Sequence, residues 1–226
     1  MLINEIFYSL QGEGRLAGVP SVFIRLAGCP LHCRWCDTPY AQSVSAGTKF
    51  TKEWILEQVN RYPAHHLVIT GGEPMTQPIL PELLKVVRRP GTHITVETAG
   101  IMFVRNLPCD LMSISPKLSN STPANPTQAA AHERLRLNVQ ALKDLLRHYT
   151  YQLKFVVDSQ GDLDEIVRFV EELPDVKLGL VFLMPQATRR EEYIEKSQWL
   201  ADYCLHTGFS FGSRLQVMLW EGQRGK

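Results

Sequence analysis

Apolar runs recur along the 226-residue chain at similar intervals, separated by polar stretches of helical period. Six runs read as strands: 21–27 (SVFIRLA), 66–70 (HLVIT), 93–98 (HITVET), 111–115 (LMSIS), 152–157 (QLKFVV) and 177–184 (KLGLVFLM). Several are nearly continuous in β-branched and large apolar residues, the pattern of strands buried on both faces. Helix signals lie between them. Residues 52–61 follow Thr51, an N-cap residue, and 79–88 carry Pro81 near the start. A long segment, 127–149, has leucines at 135, 137, 142, 145 and 146; 163–173 lies between Asp162 and Pro174; 190–207 stops at Gly208. The alternation predicts parallel βαβ units in an α/β fold. Six strands suit an open, partial βα barrel better than a closed one of eight. Residues 119–127 (SNSTPANPT) have turn composition and read as a loop. No shift of composition divides the chain, so 1–226 is expected to form one domain.

In parallel α/β folds ligands sit at the carboxyl ends of the strands. The unusual polar residues fall there. Cys29 follows the first predicted strand, 71–74 (GGEP) the second and 97–100 (ETAG) the third. Ser115 and Lys117 follow the fourth, and Pro185 and Gln186 the sixth.

Charge adds little. Lys plus Arg is 24 against 23 for Asp plus Glu, a formal net charge of +1, which gives no electrostatic reason to expect nucleic acid or an anionic membrane as partner. With 44% hydrophobic and 21% charged residues the composition is that of a globular domain and argues against disorder or coiled coil. No stretch reaches the roughly 18 apolar residues a membrane helix needs. The first residues (MLINEIFYSLQGEG) have neither a positive n-region nor a long apolar one, so no secretory signal is expected. Five cysteines, three of them within 29–36, do not resemble a disulfide framework. A reducing cytoplasm is the expected compartment.

The strongest chemical signal is Cys29-Pro-Leu-His-Cys33-Arg-Trp-Cys36. Three thiols on one loop can wrap a single metal centre. Structural zinc wants four protein ligands, and His32 would serve only with awkward geometry. Cys109 and Cys204 are distant and read better as packing residues. A [4Fe–4S] cluster held by three thiols keeps one iron open for an outside ligand, as catalysis requires. Trp35 inside the loop can shield such a cluster from water. A zinc loop is the competing reading.

The triplet Cys29, Cys33, Cys36, with Gly71-Gly72-Glu73-Pro74 one βα unit later, resembles the radical S-adenosylmethionine superfamily. Further segments are similar to the 7-carboxy-7-deazaguanine synthase family: NEIFYSLQGEG at 4–14, GVP at 18–20, FIRLAGC at 23–29, CDT at 36–38, SPK at 115–117 and LWEGQRG at 219–225. The resemblance is weakest across 119–149. It implies a [4Fe–4S] cluster on the three cysteines and S-adenosylmethionine near Trp35, Asp37, Gly72, Glu73, Ser115, Lys117 and Gln186. It also implies Mg²⁺ on the hydroxyl of Thr38 and a substrate held by Leu10, Gln11, Gly12, Glu13, Arg25 and Thr70. The implied reaction contracts the ring of 6-carboxy-5,6,7,8-tetrahydropterin to 7-carboxy-7-deazaguanine with loss of ammonia, a step toward queuosine and related deazapurines. Reductive cleavage of S-adenosylmethionine gives a 5′-deoxyadenosyl radical that takes hydrogen from the pterin C6 and later returns it. A flavodoxin-like reducing partner and a homodimer are implied as well.

The chemistry of the residues agrees with these roles. An amide and a carboxylate at Gln11 and Glu13 can read the donor–acceptor edge of a pterin. Arg25 can clasp a carboxylate at two points, which Lys cannot reproduce. Glycines 12, 14 and 18 miss the dinucleotide spacing and follow no predicted strand. Residues 214–220 (RLQVMLW) depart from the family pattern for the last strand, so no contact of the C-terminal tail with substrate is expected. Glu97 either faces the ribose or stays paired in the core; Lys154 either meets a carboxylate or reaches the site. A glycyl-radical activating enzyme of the same superfamily is one alternative, though such an enzyme has no use for LQGEG. A non-enzymatic zinc or iron–sulfur protein is the other, and it explains neither GGEP nor SPK at strand ends.

Overall fold

A computed structural model describes residues 1–226. Its strands are β1 (Leu2–Leu10), β2 (Pro20–Leu26), β3 (Thr48–Lys49), β4 (His66–Gly71), β5 (His93–Thr98), β6 (Leu111–Ile114), β7 (Tyr151–Val157), β8 (Val181–Pro185) and β9 (Ser210–Phe211). They form one open sheet in the order β3-β1-β2-β4-β5-β6-β7-β8-β9. From β2 to β9 every pairing is parallel, and β1 runs antiparallel to β2 and β3. The helices are α1 (Lys52–Asn60), α2 (Leu80–Val87), α3 (Pro126–Leu135), α4 (Val139–His148), α5 (Asp162–Glu171), α6 (Arg190–Thr207) and α7 (Leu215–Trp220). None is long and apolar enough to cross a membrane.

The six predicted strands are the consecutive parallel strands β2, β4, β5, β6, β7 and β8, so the expected open βα frame is present. Successive residues of a strand point to opposite faces. Val22, Ile24, Leu26, Leu67, Ile69, Ile94, Val96, Leu153, Phe155 and Val157 form one buried core with Ile55 of α1, Leu83 of α2, Leu142 of α4 and Ile166 of α5. The alternate positions Arg25, Thr70, Glu97 and Lys154 fall on the other face, and those four line a cavity. The same two-residue period thus sets both the core and the site wall.

Four expectations are corrected. Strand β1 was not predicted, because its polar Asn4, Glu5 and Ser9 break the apolar run; it is a half-buried strand next to the short edge strand β3. The glycines at 12, 14 and 18 therefore do follow a strand, although only a short 3₁₀ turn (Gly14–Leu16) comes after it. The segment 127–149 is two helices, because Asn138 caps α4 by accepting from the Ala141 amide at 3.1 Å. Its first part starts one residue early, with Pro126 at the first helical position behind the Asn125 cap. Residues 178–180 form a 3₁₀ turn, so β8 begins only at Val181.

Candidate active site at the carboxyl ends of the strands

A cavity of about 240 Å³ opens beyond the carboxyl ends of β2, β4, β5 and β7. Of the predicted residues it brings together Leu10, Gln11, Gly12, Glu13, Arg25, Cys29, Cys33, Trp35, Cys36, Asp37, Thr38, Thr70, Gly72, Ser115 and Lys117. Glu73 and Gln186 do not line it.

The loop after β2 presents Cys29, Cys33 and Cys36 to this cavity, all with free thiols. Burial pushes the Cys29 thiol up to about 12, and Cys33 is raised by the same cause. Binding a metal there must therefore release protons. No three His, Cys, Asp or Glu side chains come close enough to chelate one ion. No further thiol lines the cavity, so a metal centre on these three would keep a position open to an outside ligand. Cys109 and Cys204 serve as packing residues, burial raising them to about 12 and about 11. His32 contributes its amide, which donates to His132 Nδ1 at 3.3 Å, while His132 Nε2 meets Ser121 Oγ at 2.9 Å. His132 is fully buried and anchors the loop, a role the sequence did not signal. Trp35 donates from Nε1 to the Asn120 carbonyl at 3.1 Å, and Lys117 Nζ lies 5.9 Å from the centre of its ring.

Gly71 and Gly72 explain themselves by contact with the neighbouring chain. A Cβ on Gly72 would stand 2.1 Å from the Gly28 carbonyl oxygen, and one on Gly71 2.2 Å from that of Leu26. The Gly72 amide donates to Leu26 O at 3.0 Å and the Glu73 amide to Gly28 O at 2.9 Å. The glycine pair therefore locks this loop against the root of the cysteine loop. The carboxylate of Glu73, 1% exposed, accepts from Thr98 Oγ1, the Ala99 amide and the Met75 amide at 2.6, 2.7 and 3.0 Å. It ties β4 to β5 from below and positions the loop.

The other wall is polar and charged. Arg25 Nε donates to Glu5 Oε1 at 2.7 Å, and its guanidinium lies against Phe7 and Tyr40, 5.4 and 5.9 Å from their ring centres. This leaves its two terminal nitrogens for a ligand. Gln11 Nε2 donates to Glu97 Oε1 at 3.2 Å. Glu13 Oε1 accepts from Gln216 Nε2 at 2.7 Å and from Arg214 Nε at 3.4 Å; its Oε2 accepts from Lys154 Nζ at 2.9 Å. Burial alone would raise the Glu13 carboxyl, but the charges of Lys154 and Arg214 override it and bring it down to about 2. Lys154 also bonds Glu97, so the lysine both meets carboxylates and reaches the cavity, and Glu97 is paired while it lines the cavity.

Arg214, Gln216, Gln42 and Lys226 line the cavity without having been expected. Polar residues in an otherwise apolar helix stretch were the available signal for Arg214 and Gln216. The tail also returns to the site. Arg224 donates to Glu5 Oε2 at 3.0 Å and stacks 4.3 Å above Tyr40. Gln186 sits buried at the end of β8, its side-chain oxygen 3.5 Å from Lys196 Nζ.

An open parallel βα frame with three cysteines on the first βα loop is the arrangement that the Radical SAM superfamily model matches, over residues 23–196. Such enzymes hold a [4Fe–4S] cluster and S-adenosylmethionine. The chain is 40% identical to the 7-carboxy-7-deazaguanine synthase of Rhodopirellula baltica, covering 100% of this chain and 88% of the relative. With the enzyme of that name from Halobacterium salinarum the identity is 39%, over 96% and 90% of the two chains. The crystal structure of QueE from Escherichia coli superposes with a TM-score of 0.71 at 29% identity, covering 93% of this chain and 92% of that one. Streptococcus suis SuiB bound to S-adenosylmethionine shares the fold, with a TM-score of 0.53 at 16% identity. The chain belongs to the 7-carboxy-7-deazaguanine synthase family.

Proposed function

We propose that the chain converts 6-carboxy-5,6,7,8-tetrahydropterin to 7-carboxy-7-deazaguanine by a radical ring contraction that releases ammonia. One observation carries this reading: a single cavity joins the three thiols to a wall made of Arg25, Gln11, Glu13 and Glu97. Cations and carboxylates on one wall are complementary to a heterocycle with an acid at one end and N–H donors at the other.

Cys29, Cys33 and Cys36 would hold the cluster, with S-adenosylmethionine alongside Trp35, Asp37, Gly72, Ser115 and Lys117. Together these groups supply one-electron chemistry that begins with removal of a hydrogen atom from substrate. The protein's own residues bind, orient and exclude water. Arg25, held in place by Glu5, offers its terminal nitrogens to the substrate carboxylate. Gln11 and Glu13 take the ring edge. Lys117, already tied to Ser115 by bonds of 2.7 and 2.9 Å, places a positive charge beside the thiol end. Glu73 and Gln186 act behind the cavity wall. Thr38, whose hydroxyl has no oxygen partner and lies 3.9 Å from the Cys36 sulfur, is the candidate for a Mg²⁺ shared with substrate oxygens. A flavodoxin-like donor, a homodimer and a cytoplasmic setting complete the proposal.

The test is anaerobic reconstitution, then incubation with reductant, S-adenosylmethionine and the carboxylated pterin. Formation of the deazaguanine, read by mass, supports the assignment. A protein that carries the cluster and cleaves S-adenosylmethionine but leaves the pterin unchanged refutes the substrate.

A further inference from the structure

We infer that Lys154 is a positioning residue: by bridging Glu13 and Glu97 it holds the two carboxylates side by side on the cavity wall, where they jointly accept the N–H groups of the substrate's amino–lactam edge. The inference rests on the pterin reading above.

The geometry is unusual for a strand. Lys154 sits in the middle of β7 between the core residues Leu153 and Phe155 and is 1% exposed. A buried ammonium is costly unless its charge and donors are met. Here they are: Nζ meets Glu13 Oε2 at 2.9 Å and Glu97 Oε2 on the neighbouring side. The two acids are more open than the lysine, with side chains 19% and 18% exposed, so the ammonium is sealed behind them while they keep a face toward the cavity. Each acid is then steadied from a second direction. Gln11 donates to the free oxygen of Glu97, and Gln216 and Arg214 donate to that of Glu13.

The charge count makes the lysine necessary. One ion-paired network joins three acids, Glu13, Glu97 and Asp37, to two cations, Lys154 and Arg214, the latter reaching Asp37 at 3.4 Å; the cavity's other cations, Arg25, Lys117 and Lys226, make no ion pair with these acids. Two carboxylates forced together without a cation between them share a proton at neutral pH. A shared proton would turn one acceptor into a donor, which cannot pair with an N–H of the ligand. With Lys154 present, burial pulls its own proton affinity down, yet the two acids overcome this and raise it, and Glu13 is held at about 2. Glu13 thus stays an acceptor across the physiological range.

The test compares the reconstituted holoenzyme with its Lys154→Met variant. Affinity for 6-carboxypterin is read by fluorescence without reductant, KM and kcat with the tetrahydropterin, each from pH 6 to 8.5. Wild type should be flat. The variant should show KM raised about 30-fold at pH 7 with kcat changed less than about threefold, and affinity regained about tenfold toward high pH as the shared proton leaves. Iron content and S-adenosylmethionine binding should match wild type. A structural role alone would not create that pH limb, and a variant with wild-type KM and a flat profile overturns the inference. Should Lys154→Met fail to fold, Lys154→Met/Glu97→Gln removes one charge of each sign. It should bind about 30-fold more weakly with no pH limb, and wild-type affinity in it also overturns the inference. A wild-type enzyme that neither binds 6-carboxypterin nor turns over the substrate defeats the pterin reading itself, which separates the two failures.

Discussion

Residues 23–196 and the two ends of the chain build different walls of one cavity. The middle stretch, which the Radical SAM superfamily model spans, carries the cysteine loop, the Gly71–Gly72 crossing, Glu73 and Lys117. The ends lie outside that span and carry Leu10, Gln11, Gly12 and Glu13 on one side and Arg214, Gln216 and Lys226 on the other. They are tied to the frame by the β1–β2 and β8–β9 pairings, and to each other across the cavity. The Leu215 amide and Ser213 Oγ both donate to the Gly12 carbonyl, at 3.0 and 3.1 Å, and Gln216 holds Glu13. A Cβ on Gly12 would fall 2.0 Å from the Gln216 side-chain oxygen, so a side chain there would displace the Gln216 amide that bonds Glu13. The difference teaches where each property resides. Cofactor chemistry belongs to a frame shared by many enzymes, and substrate choice to the terminal segments that close it, with Arg25, Glu97 and Lys154 reaching across from the frame.

Cys33→Ala should break this division most sharply. Removing one of three thiols should abolish turnover and most of the iron, checked by metal analysis and visible absorbance, while 6-carboxypterin still binds to within about twofold. Loss of pterin binding in that variant would mean the two walls do not work separately. Arg25→Ala attacks the opposite wall. A charge-assisted two-point contact is worth about 2–3 kcal/mol, so KM for the pterin should rise about 30- to 150-fold with iron content unchanged. Arg25→Lys, which keeps charge but not the fork, should recover only part of that.

A third prediction sharpens the contrast through pH. His66, 4% exposed at the start of β4, meets Ser21 Oγ at 2.7 Å and Thr95 Oγ1 at 2.9 Å, with the His93 ring 5.0 Å away. Burial first, and then the neighbouring His93 charge, lower its pKa from 6.5 to about 4, against a small opposing pull from Asp110. On acidification the unfolded chain takes up this proton before the folded one does. The contribution is therefore fully present above about pH 6.5 and is lost progressively down to about pH 4, amounting to about 2–3 kcal/mol. Thermal unfolding of wild type against His66→Gln should show a smaller acid loss in the variant, which keeps the part due to His93 and His132, both also lowered by burial. Glu13 stays ionised throughout that window, so acid should weaken the frame before it alters the substrate wall.

The frame was legible because buried parallel strands leave an unmistakable apolar signature, and because a C-x3-C-x2-C loop after a strand has few other uses. Within that signature Arg25, Thr70, Glu97 and Lys154, one on each of four strands, interrupt the apolar runs on the cavity face, but the sequence alone placed only Arg25 and Thr70 at the site and left Glu97 and Lys154 open. The closing segments were harder. β1 is a half-buried strand whose polar positions hide its alternation, and α7 is six residues long, too short to announce a period. The roles of Glu73 and Gln186 were unreadable for another reason. A motif names the residues that matter but not whether they face the ligand or the loop behind it, and both turn inward here.

The smallest expected effect tests how much the returning tail contributes. Arg224 is 55% exposed, so its ion pair with Glu5 is screened by water and worth well under about 1 kcal/mol. Its stacking on Tyr40 adds about 0.5–1 kcal/mol. Arg224→Ala should therefore leave the melting temperature nearly unchanged. Glu5 keeps its bonds to Arg25 at 2.7 Å and to Tyr40 at 3.0 Å, so the wall residue stays in place. What changes is the cover over Tyr40 and Glu5 at the cavity rim. KM should rise about two- to fivefold, more at low ionic strength than at high, with kcat and iron content as in wild type. A rise as large as that of Arg25→Ala would show instead that the tail holds Arg25 directly. The terminal segment would then belong to the substrate wall itself rather than to its rim.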